Sequence, residues 1–145
     1  MQRETEIEKE PQLKHDIYLA GAWERYCKTP YKTIIKRELD WLDIYDPEEH
    51  QDGNWFEEDL KAIRNSKYII CYASDIPMGA NAFELGYFYA LQRQKEANEE
   101  EFGHIILIWE DSLKPEYAKE WYFRSGYVVD SVEDAVEVCK LFSSY

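Results

Sequence analysis

Strand-sized apolar runs alternating with amphipathic stretches predict an α/β fold. The expected form is a doubly wound, five-stranded parallel sheet in the flavodoxin-like or Rossmann-like order 2-1-3-4-5, with helices on both faces. Three observations carry this. The apolar runs recur five times along the 145 residues, helical periodicities separate them, and Tyr68-Ile69-Ile70-Cys71-Tyr72-Ala73 is continuous enough to be a central parallel strand buried on both faces. Right-handed crossovers and the absence of an internal repeat leave few other topologies.

The first 14 residues, MQRETEIEKEPQLK, alternate in charge and read as a mobile solvated tail, with residues 15–145 forming one domain. Asp16-Ile17-Tyr18-Leu19-Ala20, stopped by Gly21, is the first strand. After a loop from Trp23 to Thr29, Pro30 suits a first helical position, and Tyr31, Ile34, Ile35 and Leu39 recur at helical spacing. Trp41-Leu42-Asp43-Ile44-Tyr45 reads as the second strand, followed by the polar segment DPEEHQDGN. Trp55, Phe56, Leu60 and Ile63 mark a second helix with Asn54 as N-cap. Beyond the central strand come a helix from about Ala80 to Gln94, a charged break at KEANEEEFG and a strand from His104 to Trp109. A helical or irregular stretch around Pro115 to Trp121, a short strand from Gly126 to Val129 and a helix capped by Ser131 complete the chain.

Composition narrows the function. With 45% hydrophobic and 16% aromatic residues the chain can build one real core. Its 30 acids against 17 bases, a net charge of -13, oppose the phosphate backbone of a nucleic-acid polymer. A single nucleotide is not excluded, because backbone amides at a helix N-terminus hold one phosphate against the global field. Cys27, Cys71 and Cys139 are odd in number and far apart, which indicates neither a disulfide framework nor a zinc site and fits a reducing cytoplasm. No apolar stretch is long enough for a membrane span, and the start lacks the pattern of a targeting segment.

In an open α/β sheet of this order, ligands sit outside the carboxyl ends of the strands where the order reverses, here between the first and third strands. That selects the loop from Gly21 to Arg25 and the loop from Ser74 to Glu84. Glu84 stands out: the run Ala80-Asn81-Ala82-Phe83-Glu84-Leu85-Gly86-Tyr87-Phe88-Tyr89-Ala90-Leu91 is otherwise apolar and small. An acid there is either aimed at the crevice or capping a helix N-terminus, and the residue pattern leaves both readings open.

Three segments, IYLAGAW, EEDLKAIRNSKYIICYAS and GANAFELGYFYAL, are similar in order and spacing to the signature segments of the nucleoside 2-deoxyribosyltransferases and the related deoxynucleotide N-hydrolases. The likeness runs from residue 16 to about 91, roughly half the chain. It implies an enzyme that breaks an N-glycosidic bond of a small nucleoside or nucleoside 5'-monophosphate, by hydrolysis or by transfer to another base. Under it Glu84 is the nucleophile that attacks the anomeric carbon, Tyr18 holds that carboxylate, and Asp59 lies beside the base and helps protonate it. Tyr18 as a mere core aromatic and Asp59 as a solvated helix residue beside Glu57 and Glu58 are the plainer alternatives. Trp23 is the aromatic wall that the resemblance implies for the base, with Trp55 or Phe56 as substitutes.

The resemblance also marks departures. The transferases carry an acid six residues before the nucleophile and the nucleotide hydrolases a small hydroxyl residue, whereas this chain has Met78. Gly21, Asp75, Gly79 and Asn81 complete the expected substrate contacts, with Asn81 or Asp75 standing in for the missing acid. The transferases' asparagine from a neighbouring subunit has no counterpart in KPEYAKEWYFRSG; Tyr122 or Arg124 takes its place, and Arg124 suits a phosphate.

No metal or cofactor motif is present: His15, His50 and His104 are scattered, and the glycines form neither a Walker loop nor GxGxxG. The DPEEHQD cluster reads as a solvated acidic loop more readily than a cation site. A symmetric oligomer is expected from the surplus of aromatics, with the helix from Phe83 to Leu91 and the segment from Trp121 to Tyr127 as candidate interfaces. The rival function is a catalytically idle nucleotide-binding or sensing module on the same fold. A third possibility, a flavodoxin-like FMN protein, lacks the Ser/Thr-rich phosphate loop after the first strand.

Overall fold

The computed structural model describes residues 15–73, 79–110 and 125–143. The N-terminal tail, the irregular stretch around Pro115 to Trp121, and the candidate residues Asp75, Met78 and Arg124 lie outside the described residues.

Five strands, β1 (His15–Gly21), β2 (Ile44–Tyr45), β3 (Ser66–Tyr72), β4 (His104–Ile108) and β5 (Tyr127–Val129), form one sheet in the order β2-β1-β3-β4-β5. Every pair is parallel, so the expected doubly wound topology is found. Among the described residues four α-helices connect or follow the strands: α1 (Tyr31–Glu38), α2 (Trp55–Arg64), α3 (Gly79–Ala97) and α4 (Val132–Ser143). Two short 3-10 turns, Glu24–Tyr26 and Pro47–Glu49, follow β1 and β2. No helix among the described residues is long and apolar enough to cross a membrane.

The alternation of side chains along a strand sorts the core into two layers. Ile17 and Leu19 of β1, Ile70 and Tyr72 of β3 and Ile106 and Ile108 of β4 pack against α1 and α4. The intervening residues Tyr18, Ala20, Ile69, Cys71, Ile105 and Leu107 face the other way, against α2 and α3. Tyr45, alongside Tyr18 in register, joins that second layer. Parity therefore places Tyr18 on the same side of the sheet as Asp59 of α2 and Glu84 of α3.

Several element boundaries shift from expectation. Strand β2 is only two residues long, because only Ile44 and Tyr45 lie alongside Ile17 and Tyr18; Trp41 precedes them in a turn and is 59% exposed. Helix α3 runs on to Ala97 and absorbs the start of the charged break. Pro30 stands just before α1, with Tyr31 as its first helical residue, and Asn54 occupies the N-cap of α2 without a side-chain bond. Ser131 caps α4 as expected, its Oγ accepting from the Asp134 amide at 3.1 Å. At the end of α4 Phe142 packs inward, while Leu141 is exposed.

Candidate active site

Helices α2 and α3 run antiparallel to the strands they connect, so their first turns stand over the carboxyl edge of the sheet. There a cavity of about 500 Å3 opens, within the range that takes a small ligand. Gly21, Ala22, Trp23 and Tyr26 line it from the segment after β1, and Pro47, His50 and Gln51 from the segment after β2. Trp55 and Asp59 of α2 and Asn81 and Glu84 of α3 close the remaining walls. The location is the reversal of strand order between β1 and β3.

Glu84 lies in the second turn of α3, and its Oε2 accepts a hydrogen bond from the Tyr18 hydroxyl, 66 residues earlier. The carboxylate thus has a side chain on the sheet as its hydrogen-bond partner. Burial pushes the carboxyl group up to about 7; nearby Asp59 adds to this, while the Tyr18 hydrogen bond and the more distant Lys32 ammonium oppose it. The Tyr18 hydroxyl is held far above its ordinary value, first by burial and then by the Glu84 charge, so it stays a donor. Tyr18 is fully buried; it is both a core aromatic and the rest for Glu84.

Asp59 is not a solvated helix residue. It is 9% exposed, and its Oδ1 accepts from the Tyr45 hydroxyl at 3.0 Å. Burial raises its proton affinity, opposed by the Tyr45 bond and by His50. The Tyr45 ring lies nearly parallel to Tyr18, with centroids 5.5 Å apart, and to His50 at 4.4 Å. Two tyrosines that stack on each other thus carry the two carboxylates of the cavity.

Gly21 ends β1 with φ +122°, a conformation that side chains rarely adopt, and a Cβ there would stand 2.8 Å from the Tyr31 hydroxyl oxygen. Its amide donates to Asn81 Oδ1 at 3.1 Å, which ties the β1 loop to α3. Trp23 lines the cavity with the Lys32 ammonium 5.2 Å from its ring centroid. Lys32 is itself buried, paired with Asp46 at 2.6 Å and Glu48 at 3.1 Å. Lys36 bonds the second Asp46 oxygen at 2.8 Å. Burial alone would raise Asp46, but the two lysines outweigh it and hold the carboxyl below its usual value. The acidic segment expected to be solvated is therefore anchored at its first residue, which positions Pro47, His50 and Gln51 along the cavity. Among the described residues no cluster of three or more His, Cys, Asp or Glu side chains is placed to hold a metal ion.

The structure brings Gly21, Trp23, Asp59, Asn81 and Glu84 to one cavity, with Tyr18 bonded to Glu84 behind it. Trp55 joins the lining and Phe56 does not; both are half exposed, since the first turn of α2 projects beyond the core. Gly79 opens α3. Tyr45, His50 and Lys32 were missed from sequence. The available signal for Tyr45 was its parity with Tyr18 once β1 and β2 are paired; Lys32 carried only the oddity of a lysine next to Tyr31 on the inward face of an amphipathic helix.

No protein family matches this chain, and no curated protein does. Solved structures share its fold, among them the following two. The CMP N-glycosidase BcmB of Clostridium botulinum aligns with a TM-score of 0.56 at 10% identity, over 86% of this chain and 98% of that one. The TIR domains of the activated Roq1 resistosome, which directly recognises the pathogen effector XopQ, align with a TM-score of 0.54 at 14% identity, over 91% and 100%. At these identities the likeness shows the fold alone.

Proposed function

We propose that this chain cleaves the N-glycosidic bond of a (deoxy)nucleoside or nucleoside 5'-monophosphate with Glu84 as nucleophile. The observation that carries the reading is the Tyr18-bonded Glu84 carboxylate and the Tyr45-bonded Asp59 carboxyl group lining one cavity. Loss of a base leaves an oxocarbenium-like sugar. A carboxylate beneath the ring stabilises it, and a proton delivered to the base lowers the cost of its departure. Retaining glycosidases divide this labour between two acids in the same way. Glu84 attacks the anomeric carbon and Asp59 gives up the proton. Tyr18 holds Glu84, and Trp23 walls the base. Gly21, Asn81 and Gly79, with Asp75, Met78 and Arg124, serve substrate binding. The N-glycosidase BcmB, with the same fold, supports the reaction class at its coarse level.

Hydrolysis is favoured over base exchange. Exchange needs a glycosyl ester shielded from water long enough for a second base to enter. The acid and the partner-supplied asparagine that the resemblance associates with exchange have no counterparts here, Met78 standing at the first position. A homo-oligomer fits Phe83, which is 57% exposed on α3 next to the site.

The test is incubation with a panel of nucleosides and 5'-monophosphates, with and without an acceptor base, followed by chromatography. Base release that acceptor leaves unchanged is expected. Efficient formation of a new nucleoside would make the chain a transferase, and binding without release would make it the idle nucleotide-binding module.

A further inference from the structure

Strand β2 gives the sheet only two residues, yet one of them supports the second carboxyl group of the site. The Tyr45 hydroxyl donates to Asp59 Oδ1 at 3.0 Å, both residues are buried, and the ring is fixed by its parallel contacts with Tyr18 and His50. We propose that Tyr45 is a positioning residue for the proposed reaction: it occupies Oδ1, so that the proton passed to the leaving base travels on Oδ2, and it stabilises the Asp59 carboxylate left behind.

The step balances as follows. The bond between the anomeric carbon and the base nitrogen breaks with its electron pair going to the base. A ring atom of the base takes the proton from Asp59 Oδ2, and a Glu84 oxygen forms the new bond to the anomeric carbon. Asp59 therefore begins neutral and ends as an anion. A hydroxyl donor bonds an anionic carboxylate about twice as strongly as a neutral acid, so the Tyr45 contact strengthens as the proton leaves. An interaction that grows along the reaction lowers the barrier, whereas one of constant strength does not. The cavity wall supplies the required rigidity, since the donor sits on the sheet and its ring is stacked.

This inference rests on the reading of Asp59 as the acid, and the experiment separates the two. Tyr45→Phe keeps the ring and deletes the donor; Asp59→Asn deletes the acid. Both are assayed on a natural nucleoside and on a glycoside with a nitrophenyl-like leaving group, which departs without protonation. Tyr45→Phe is expected to slow the nucleoside by about tenfold, the worth of one charge-assisted bond, and to leave the activated substrate nearly unchanged. Tyr45→3-fluorotyrosine, a more acidic phenol of similar size, should shift the same ratio in the opposite direction.

A second readout is the carboxyl-carbon titration of Asp59 by NMR. The groups facing Asp59 are Tyr45 from β2, His50 from the segment after it and Glu58 from its own helix, with the Glu84 and Tyr18 pair beyond. Loss of the donor favours the neutral acid, so Asp59 should titrate at higher pH in Tyr45→Phe while Glu84 stays in place. An equal loss on both substrates, or an unmoved Asp59 titration, overturns the role of Tyr45. If Asp59→Asn itself loses activity equally on both substrates, the acid assignment fails and takes this inference with it.

Discussion

Each face of the sheet carries a tyrosine bonded to a glutamate at the carboxyl end, and the two pairs differ in everything but their chemistry. On the α2 and α3 face Tyr18 of β1 donates to Glu84, which lines the cavity. On the α1 and α4 face Tyr72 of β3 donates to Glu110, just past β4. The same Glu110 oxygen also accepts from the Thr29 hydroxyl at 2.8 Å, and Glu110 is not among the residues lining the cavity. Tyr72 stacks on Tyr31, 4.8 Å away. Two donors on one carboxylate bind a loop to the sheet. Glu84, with one hydroxyl donor among the described residues and a cavity beside it, has the setting that the proposed nucleophile requires. The contrast teaches that the pairing of residue types does not define a site; what the remaining lone pairs face does.

The largest expected difference follows from deleting each acid. Glu84→Ala should lower kcat/KM for base release by about 10^3-fold or more, about 4 kcal/mol of barrier, with the circular dichroism spectrum unchanged. Glu110→Ala should keep activity within a few-fold and lose about 1–3 kcal/mol of stability, because two hydroxyls lose their acceptor. Equal activity losses would erase the distinction between the faces.

Next in size is the ion cluster under the cavity wall. Lys32→Met leaves Asp46 and Glu48 without their buried ammonium. It should cost about 3 kcal/mol in urea denaturation, with Trp23 emission altered in the folded state. A loss under about 0.5 kcal/mol would make the cluster a surface feature, where ion pairs contribute little.

How far the sequence could be read follows the same division. The sheet order was legible because parallel strands buried on both faces are apolar throughout, as in residues 68–73. The Glu84, Asp59 and Tyr18 set came from the resemblance, since the residue pattern alone left Glu84 between crevice and helix cap. What the fold adds is that the three side chains share one side of the sheet, Glu84 and Asp59 on the cavity and Tyr18 bonded to Glu84. The Asp46 anchor was not: its partners Lys32 and Lys36 lie 14 and 10 residues away on another element, and only the folded chain juxtaposes them. Trp41 read as a strand residue for a related reason, since apolar content alone does not tell a turn beside a two-residue strand from the strand itself.

A smaller effect tests Tyr18. Its hydroxyl lowers the proton affinity of Glu84, so Tyr18→Phe should move the ascending limb of the pH profile above about 7 and reduce activity at neutral pH by about tenfold. An unshifted limb would mean that Tyr18 only packs.

The smallest concerns stability against pH. The carboxyl of Glu84 is raised from 4.5 to about 7 in the folded state, so the native protein keeps a proton that the unfolded chain has lost. The stability this confers is complete below about 4.5 and is lost as pH rises through about 7. Glu84→Gln removes the titration. Its Tm relative to the parent should therefore rise between pH 5 and pH 8, and a constant difference would argue against a buried, titrating Glu84.

The central claim is that Glu84 becomes covalently attached to the sugar, and mass spectrometry of the intact protein tests it most directly. A nucleoside carrying 2'-fluorine, which slows breakdown of the glycosyl ester, should add one sugar mass to the protein, located on the peptide containing Glu84 and absent from Glu84→Gln. Base release in the parent with no adduct at any time point, or an adduct that persists in Glu84→Gln, would contradict the account.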